Sequence, residues 1–213
     1  MGAHSTTEMY ERARQDLHAS IVYLGVMNNL FYSDTERCLR TCIEKNKAIE
    51  KNEIDYNELM FWYRSLIRTF YAYVEGTTFL MRQIIIWAHE RSDIKLSDSE
   101  IMQLREVRLV GDGESVKTCA KHNTVLENVT LAFEYFPVMF HSSYELTKSD
   151  HRWDSFRTAL KARDSITHPK LVEDYLLPAE VLRQLQEAIV WFHESMSGLT
   201  KSCGNGRKSE NDS

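Results

Sequence analysis

"DYNELMFWYRSLIRTFYAYVEGTTFLMRQIIIWAHE", residues 55 to 90, decides the fold. Leu59, Tyr63, Leu66, Phe70, Tyr73, Thr77, Leu80, Ile84 and Trp87 recur in steps of four and three. That spacing keeps one stripe on one side of a helix, so it predicts a single long helix with a bundle-type seam. The aromatic runs at 61 to 63 and 70 to 73 fall on the same periodicity and read as core rather than as a platform for stacking bases. Glu75 is the only charge between Arg68 and Arg82, so it is a candidate carboxylate for orienting a functional group elsewhere, or a partner for an arginine. Gly76 beside it allows close approach of another helix.

Outward from this helix the same reading continues. Residues 6 to 30 predict a first helix along Leu17, Ile21, Leu24 and either Met27 or Asn28. "SDTE" at 33 to 36 has the form of a capping box and predicts a second helix to about Lys51, and "SDSE" at 97 to 100 predicts a short one ending near Arg108. Helical spacing fails between 109 and 122. There, a Gly-Asp-Gly turn between "VRLV" and "SVKTC" predicts a small β-hairpin near 107–121. Helical periodicity returns with Leu126, Val129, Phe133, Phe136 and Phe140, with a kink expected at Pro137. "HRWDSFRTALKARDSIT" follows, burying Trp153, Phe156 and Leu160. Pro178 then opens a last helix with Leu182, Leu185, Ile189, Phe192, Met196 and Leu199 on one face. The expected architecture is all-α, a bundle over 55–200 with a helical extension over 1–54 packed on it. A tail from 201 to 213 is too polar to fold alone.

Composition agrees with long helices. Only three prolines and eight glycines interrupt 213 residues, of which 43% are hydrophobic. A net charge of -5 argues against a protein that coats nucleic acid by bulk charge, so any polyanion must meet a local basic site. Cys38, Cys42, Cys119 and Cys203 are too sparse for a disulfide framework, and Cys38 and Cys42 lack further ligands for a metal. His89-Glu90 and His193-Glu194 lack the second histidine of a zinc protease, and no phosphate-cradling loop or nucleophile elbow occurs. No metal or cofactor is expected. The start, "MGAHSTTEMYERAR", has no apolar core of a signal peptide, and the longest near-apolar run, "TFYAYVEGTTFLM", is too short and polar to span a bilayer. A soluble, cytoplasmic protein without membrane partners is the expectation.

Chemistry concentrates in "LKARDSITHPK", residues 160 to 170. Arg163 and His168 would point about 140° apart on a continuous helix. Pro169 changes this, because the residue before a proline is pushed out of the helical region. The helix should end at about Thr167, leaving His168 able to swing back over the last turn toward Arg163. Lys161 and Lys170 add positive charge, and Asp164 can hold the histidine or pair with Lys161. An arginine and a histidine at a helix end also suit the macrodipole and the unpaired carbonyls there, without any further role. Set together, though, they suit cleavage of RNA by its own 2′-hydroxyl. Histidine is a base of suitable pKa for the 2′-proton, a guanidinium matches phosphate oxygens in pairs, and a second His168 from a two-fold mate can protonate the leaving oxygen.

The segment "WDSFRTALKARDSITHPK", with helices on either side, resembles the HEPN superfamily of small α-helical domains, whose signature is R-x4-6-H with Asn, Asp or His after the arginine. Arg163-Asp164-x-x-x-His168 fits that pattern. The likeness covers about residues 55 to 200 and is strongest from 123 to 192. It implies a HEPN-like homodimer in which two motifs line one cleft. The activity implied is that of a metal-independent endoribonuclease leaving 2′,3′-cyclic phosphate ends, often a toxin or an anti-phage effector with a regulatory or antitoxin partner. Arg163 and His168 would be catalytic, Asp164 and Glu75 supporting, and Lys161 and Lys170 RNA-binding. The tyrosine that some such toxins carry two residues after the histidine is replaced here by Lys170, and the next tyrosine is Tyr175, which puts silencing by nucleotidylation in doubt. Non-catalytic HEPN domains that dimerise or bind nucleotides or partners supply the alternative.

Overall fold

The structure, a computed structural model, describes residues 3–111, 117–171, 173 and 176–205, the side chains of 3–7, 179, 204 and 205 excepted. Among these residues the chain forms α1 (Ala3–Gln15), α2 (Leu17–Glu50), α3 (Tyr56–Arg91), α4 (Asp98–Leu104), β1 (Val107–Val110), β2 (Lys117–Ala120), α5 (Val125–Met139), α6 (His151–Thr167) and α7 (Ala179–Asn205). The protein is thus all-α with one antiparallel hairpin, in which Val107 faces Ala120 and Val110 faces Lys117. Asp112 and Gly113 of the expected turn lie outside the described residues. All nine seam positions of α3 are buried, from Leu59 to Trp87.

The N-terminal helices divide differently from the sequence expectation. The break falls at Asp16, whose carboxylate accepts from the His18 N–H at 2.8 Å. The "SDTE" motif caps nothing, since α2 runs through it and the Thr35 hydroxyl donates to the Phe31 carbonyl one turn back. A capping side chain matters only where backbone N–H groups lack carbonyl partners, and here the preceding turn supplies them. At the far end α7 continues to Asn205, past the expected helix end. Cys203 is buried there and Ser202 accepts from the Ser142 hydroxyl at 2.8 Å. Residues 206–213 lie outside the described residues. Leu160 is only half-buried, and Ala159 and Ile166 take the inner positions of α6. Pro137 sits in the last turn of α5, which ends at Met139.

The chain resolves into two compact units: Met1–Val26 with Glu75–Leu146 and Gly198–Ser213, and Met27–Val74 with Thr147–Ser197. The residues expected as an extension, 1–54, are shared between them. In the first unit Leu24, Met81, Ile84, Leu104, Val129 and Phe136 are fully buried, and Tyr10 sets its ring edge-on to Tyr23 and Trp87. Arg82, 5% exposed, donates to the Leu104 carbonyl at 3.1 Å and to Glu106 at 3.2 Å. Burial alone would raise the Glu106 carboxyl; hydrogen bonds from Asn128, Arg82 and the Asn123 N–H, with the charge of Arg82, bring it below its usual range.

The second unit is built on aromatics. Phe70, Tyr71 and Tyr73 of α3, Trp153 and Phe156 of α6, and Trp191 and Phe192 of α7 interlock with centroid separations of 5.0 to 6.5 Å. The polar tips are satisfied. Tyr71 donates to the Phe156 carbonyl at 2.8 Å, Tyr73 to Asn28 at 2.6 Å, and Trp191 to the Thr147 carbonyl at 3.1 Å. Edge and offset contacts of this kind add to area burial and fix the helices rotationally.

Candidate functional site

Helix α6 carries the site. It begins at Asp150, whose carboxylate accepts from the Arg152 N–H at 2.9 Å and from its Nε at 2.7 Å. The first of these contacts is the larger in holding the Asp150 carboxyl below its usual range. Arg152 also reaches Glu194 of α7 at 2.6 Å. With Trp153, Phe156, Ala159 and Ile166 buried on one face, the helix is fixed in rotation, so its other face must meet solvent. That outer face holds Arg157, Lys161, Asp164, Ser165 and His168.

The helix ends where the sequence places the end. Thr167 is its last residue, and His168, at φ -127° and ψ 59°, leaves the helical region while its N–H still donates to the Asp164 carbonyl at 3.0 Å. Pro169 explains the exit. The Thr167 hydroxyl donates to the Arg163 carbonyl at 2.7 Å, which satisfies one of the otherwise unpaired carbonyls of the final turn.

Asp164, Ser165, His168 and Lys170 line a cleft of about 540 Å³. The structure therefore brings together His168, Asp164 and Lys170 of the sequence-derived set. Arg163 is half-buried on the same turn, and its Nη1 donates to Asp164 Oδ1 at 2.9 Å. The Asp164 carboxylate thus takes the neighbouring guanidinium, where the sequence suggested His168 or Lys161. Lys161 is exposed one turn earlier on the same face. Glu75 belongs to the other unit, where it lines a smaller cleft of about 270 Å³ with Thr78, Phe79, Arg82, Asn123, Val125 and Asn128.

Sequence reasoning missed Ser165 as a cleft residue. Its signal was present, because residues three apart near a helix end share a face and Ser165 precedes His168 by three. It also missed the pairing of buried Arg82 with half-buried Glu106, for which no local pattern offers a cue, because the partners lie 24 residues apart. Among the described residues no three His, Cys, Asp or Glu side chains gather as a metal-binding group, and no helix is long and apolar enough to cross a membrane. Of the other histidines considered, His89 accepts from the Leu96 N–H at 3.0 Å and His193 stacks on Tyr32 at 3.6 Å. No family model, no curated protein and no solved structure matches this chain.

Proposed function

We propose that the protein is a HEPN-type endoribonuclease that cleaves single-stranded RNA at the C-terminal end of α6, using the 2′-hydroxyl of the substrate as nucleophile. One observation carries the reading: His168 and Lys170 open onto one cleft at the end of a rigidly anchored helix, with Arg163 on the turn before. His168 takes the 2′-proton as the 2′-oxygen attacks phosphorus. The bond to the 5′-oxygen then breaks, a proton passes to that oxygen, and the products carry a 2′,3′-cyclic phosphate and a 5′-hydroxyl. Arg163 exchanges the Asp164 carboxylate for non-bridging phosphate oxygens, whose charge grows in the transition state. Lys170 at the cleft and Lys161 behind it favour a polyanion locally in a chain of net charge -5. A second copy related by a two-fold axis supplies the proton for the leaving oxygen from its own His168. Such an enzyme would act in the cytoplasm as a toxin or anti-phage effector under the control of a regulatory protein.

A second reading has its own support. Arg163 is held by Asp164 and is not among the residues lining the cleft, as suits a module that dimerises or binds a nucleotide or protein without cutting RNA.

The experiment is incubation with single-stranded RNA in excess EDTA, comparing wild type with Arg163→Ala and His168→Ala. The expected result is cyclic-phosphate ends from the wild type and a loss of about 10²- to 10⁴-fold in the His168 variant, the usual range for a general acid–base group. Equal cleavage by all three proteins overturns the assignment, and a folded wild type that leaves RNA intact selects the second reading.

A further inference from the structure

The outer face of α6 reaches well beyond the cleft. On helical spacing Arg157, Lys161, Asp164 and His168 fall within about 60° of one another around the axis. All four are exposed, while Ala159 and Ile166 are buried on the opposite face, and the stripe stops at the buried Trp153 one turn before Arg157. The stripe runs about 16 Å from Arg157 to the cleft at His168. Its charge is positive on balance: from Asp154 to Lys170 the sequence holds Arg157, Lys161, Arg163 and Lys170 against two acids, Asp154 and Asp164, and Asp164 faces Arg163. Arg157 Nη1 lies 3.5 Å from Asp154, with both side chains more than half exposed. A pair of that kind contributes about 1 kcal/mol or less, so a phosphate can displace it. Arg157 and Lys161 are one turn apart, about 6 Å along the axis, a step that neighbouring phosphates of an extended strand can follow.

We propose that this face of α6 is a track for the backbone of single-stranded RNA, with Arg157 and Lys161 each holding one phosphate to one side of the bond broken at His168. The identity of the polyanion rests on the ribonuclease reading. The new content is Arg157 as a phosphate contact in line with Lys161, and a substrate that must extend past the cleft along α6. Lysine and arginine contacts to phosphate carry no base identity, so the track is indifferent to sequence. A dinucleotide bound at His168 does not reach Arg157 and forfeits both contacts.

Binding is measured apart from cleavage with an oligonucleotide of about 12 nucleotides, 2′-O-methylated throughout so that no 2′-hydroxyl can attack. Wild type is compared with Arg157→Ala/Lys161→Ala and with a control, Arg37→Ala/Arg40→Ala, which removes two exposed cations of α2. Each phosphate contact on a single strand adds about 0.7 to the slope of log affinity against log salt, so the track variant should lose about 1.4. Between about 50 and about 200 mM salt the wild type then weakens about sevenfold more than the track variant. A slope change no larger than the control's, or a wild type that does not bind, overturns the proposal. If the slope falls as expected while unmodified RNA stays intact, the track stands and the nuclease reading fails. Cleavage with an unmoved slope gives the reverse.

Discussion

His193 shows how one side chain ties packing to pH. Its ring lies flat on Tyr32, 3.6 Å between centroids at 14°, and its Nδ1 is buried without a hydrogen-bond partner. Burial pushes its pKa below the usual histidine value, against the opposing pull of the Glu194 and Glu36 carboxylates. The unfolded chain therefore takes up a proton at a higher pH than the folded one, so stability falls as pH drops through about 6.5 toward the folded value. His193→Phe keeps a ring against Tyr32 and removes the titration. Between about pH 7.5 and about pH 5.5 the wild type should lose more of its urea midpoint than this variant. Equal losses would show that other histidines carry the acid sensitivity. None of this was legible in the string His193-Glu194, because it depends on a ring from α2, 161 positions away by number. Arg163 and His168 differ: Pro169 sits beside them in the chain, so the helix end at Thr167 could be read locally.

Elements were most legible where the local rule and the tertiary surroundings agree. The "SDSE" box at 97 to 100 forms both of its reciprocal hydrogen bonds and starts α4, and an unread one, Thr124 with Glu127, starts α5. "SDTE" at 33 to 36 has the same form and starts nothing, because α2 already continues through it. A related conflict sits in α7. Gly198 lies inside the helix, where alanine normally stabilises by about 1 kcal/mol. A Cβ there would lie 2.9 Å from the Tyr144 ring, which itself faces Phe133 at 6.2 Å. Gly198→Ala should therefore lower the melting temperature of the wild type and raise that of a Tyr144→Ala background. The same sign in both backgrounds would remove Tyr144 as the reason for the glycine.

At the scale of the whole molecule, the aromatic cluster of the second unit ties together residues 70 to 73, 153 to 156 and 191 to 192. Phe156 is fully buried among Phe70, Tyr71, Trp153, Trp191 and Phe192, and its carbonyl also accepts from Tyr71. Phe156→Ala should cost about 3–5 kcal/mol in urea denaturation, the usual range for a large buried ring. A loss below about 1 kcal/mol would mean that neighbouring rings collapse into the space. This packing holds α6 in one rotation, with Ala159 and Ile166 inward and Arg157, Lys161, Asp164 and His168 at solvent. The sequence by itself determined the helical class, the buried seam of α3, the hairpin strands and the end of α6, since periodicity, prolines and turn residues act over a few positions. Only the tertiary structure decided where the N-terminal helices divide, how far α7 runs, that Asp164 faces Arg163, and that Glu75 lines a different cleft from His168. Those outcomes depend on which distant side chains satisfy a given backbone group or charge, and no spacing along the chain encodes that choice.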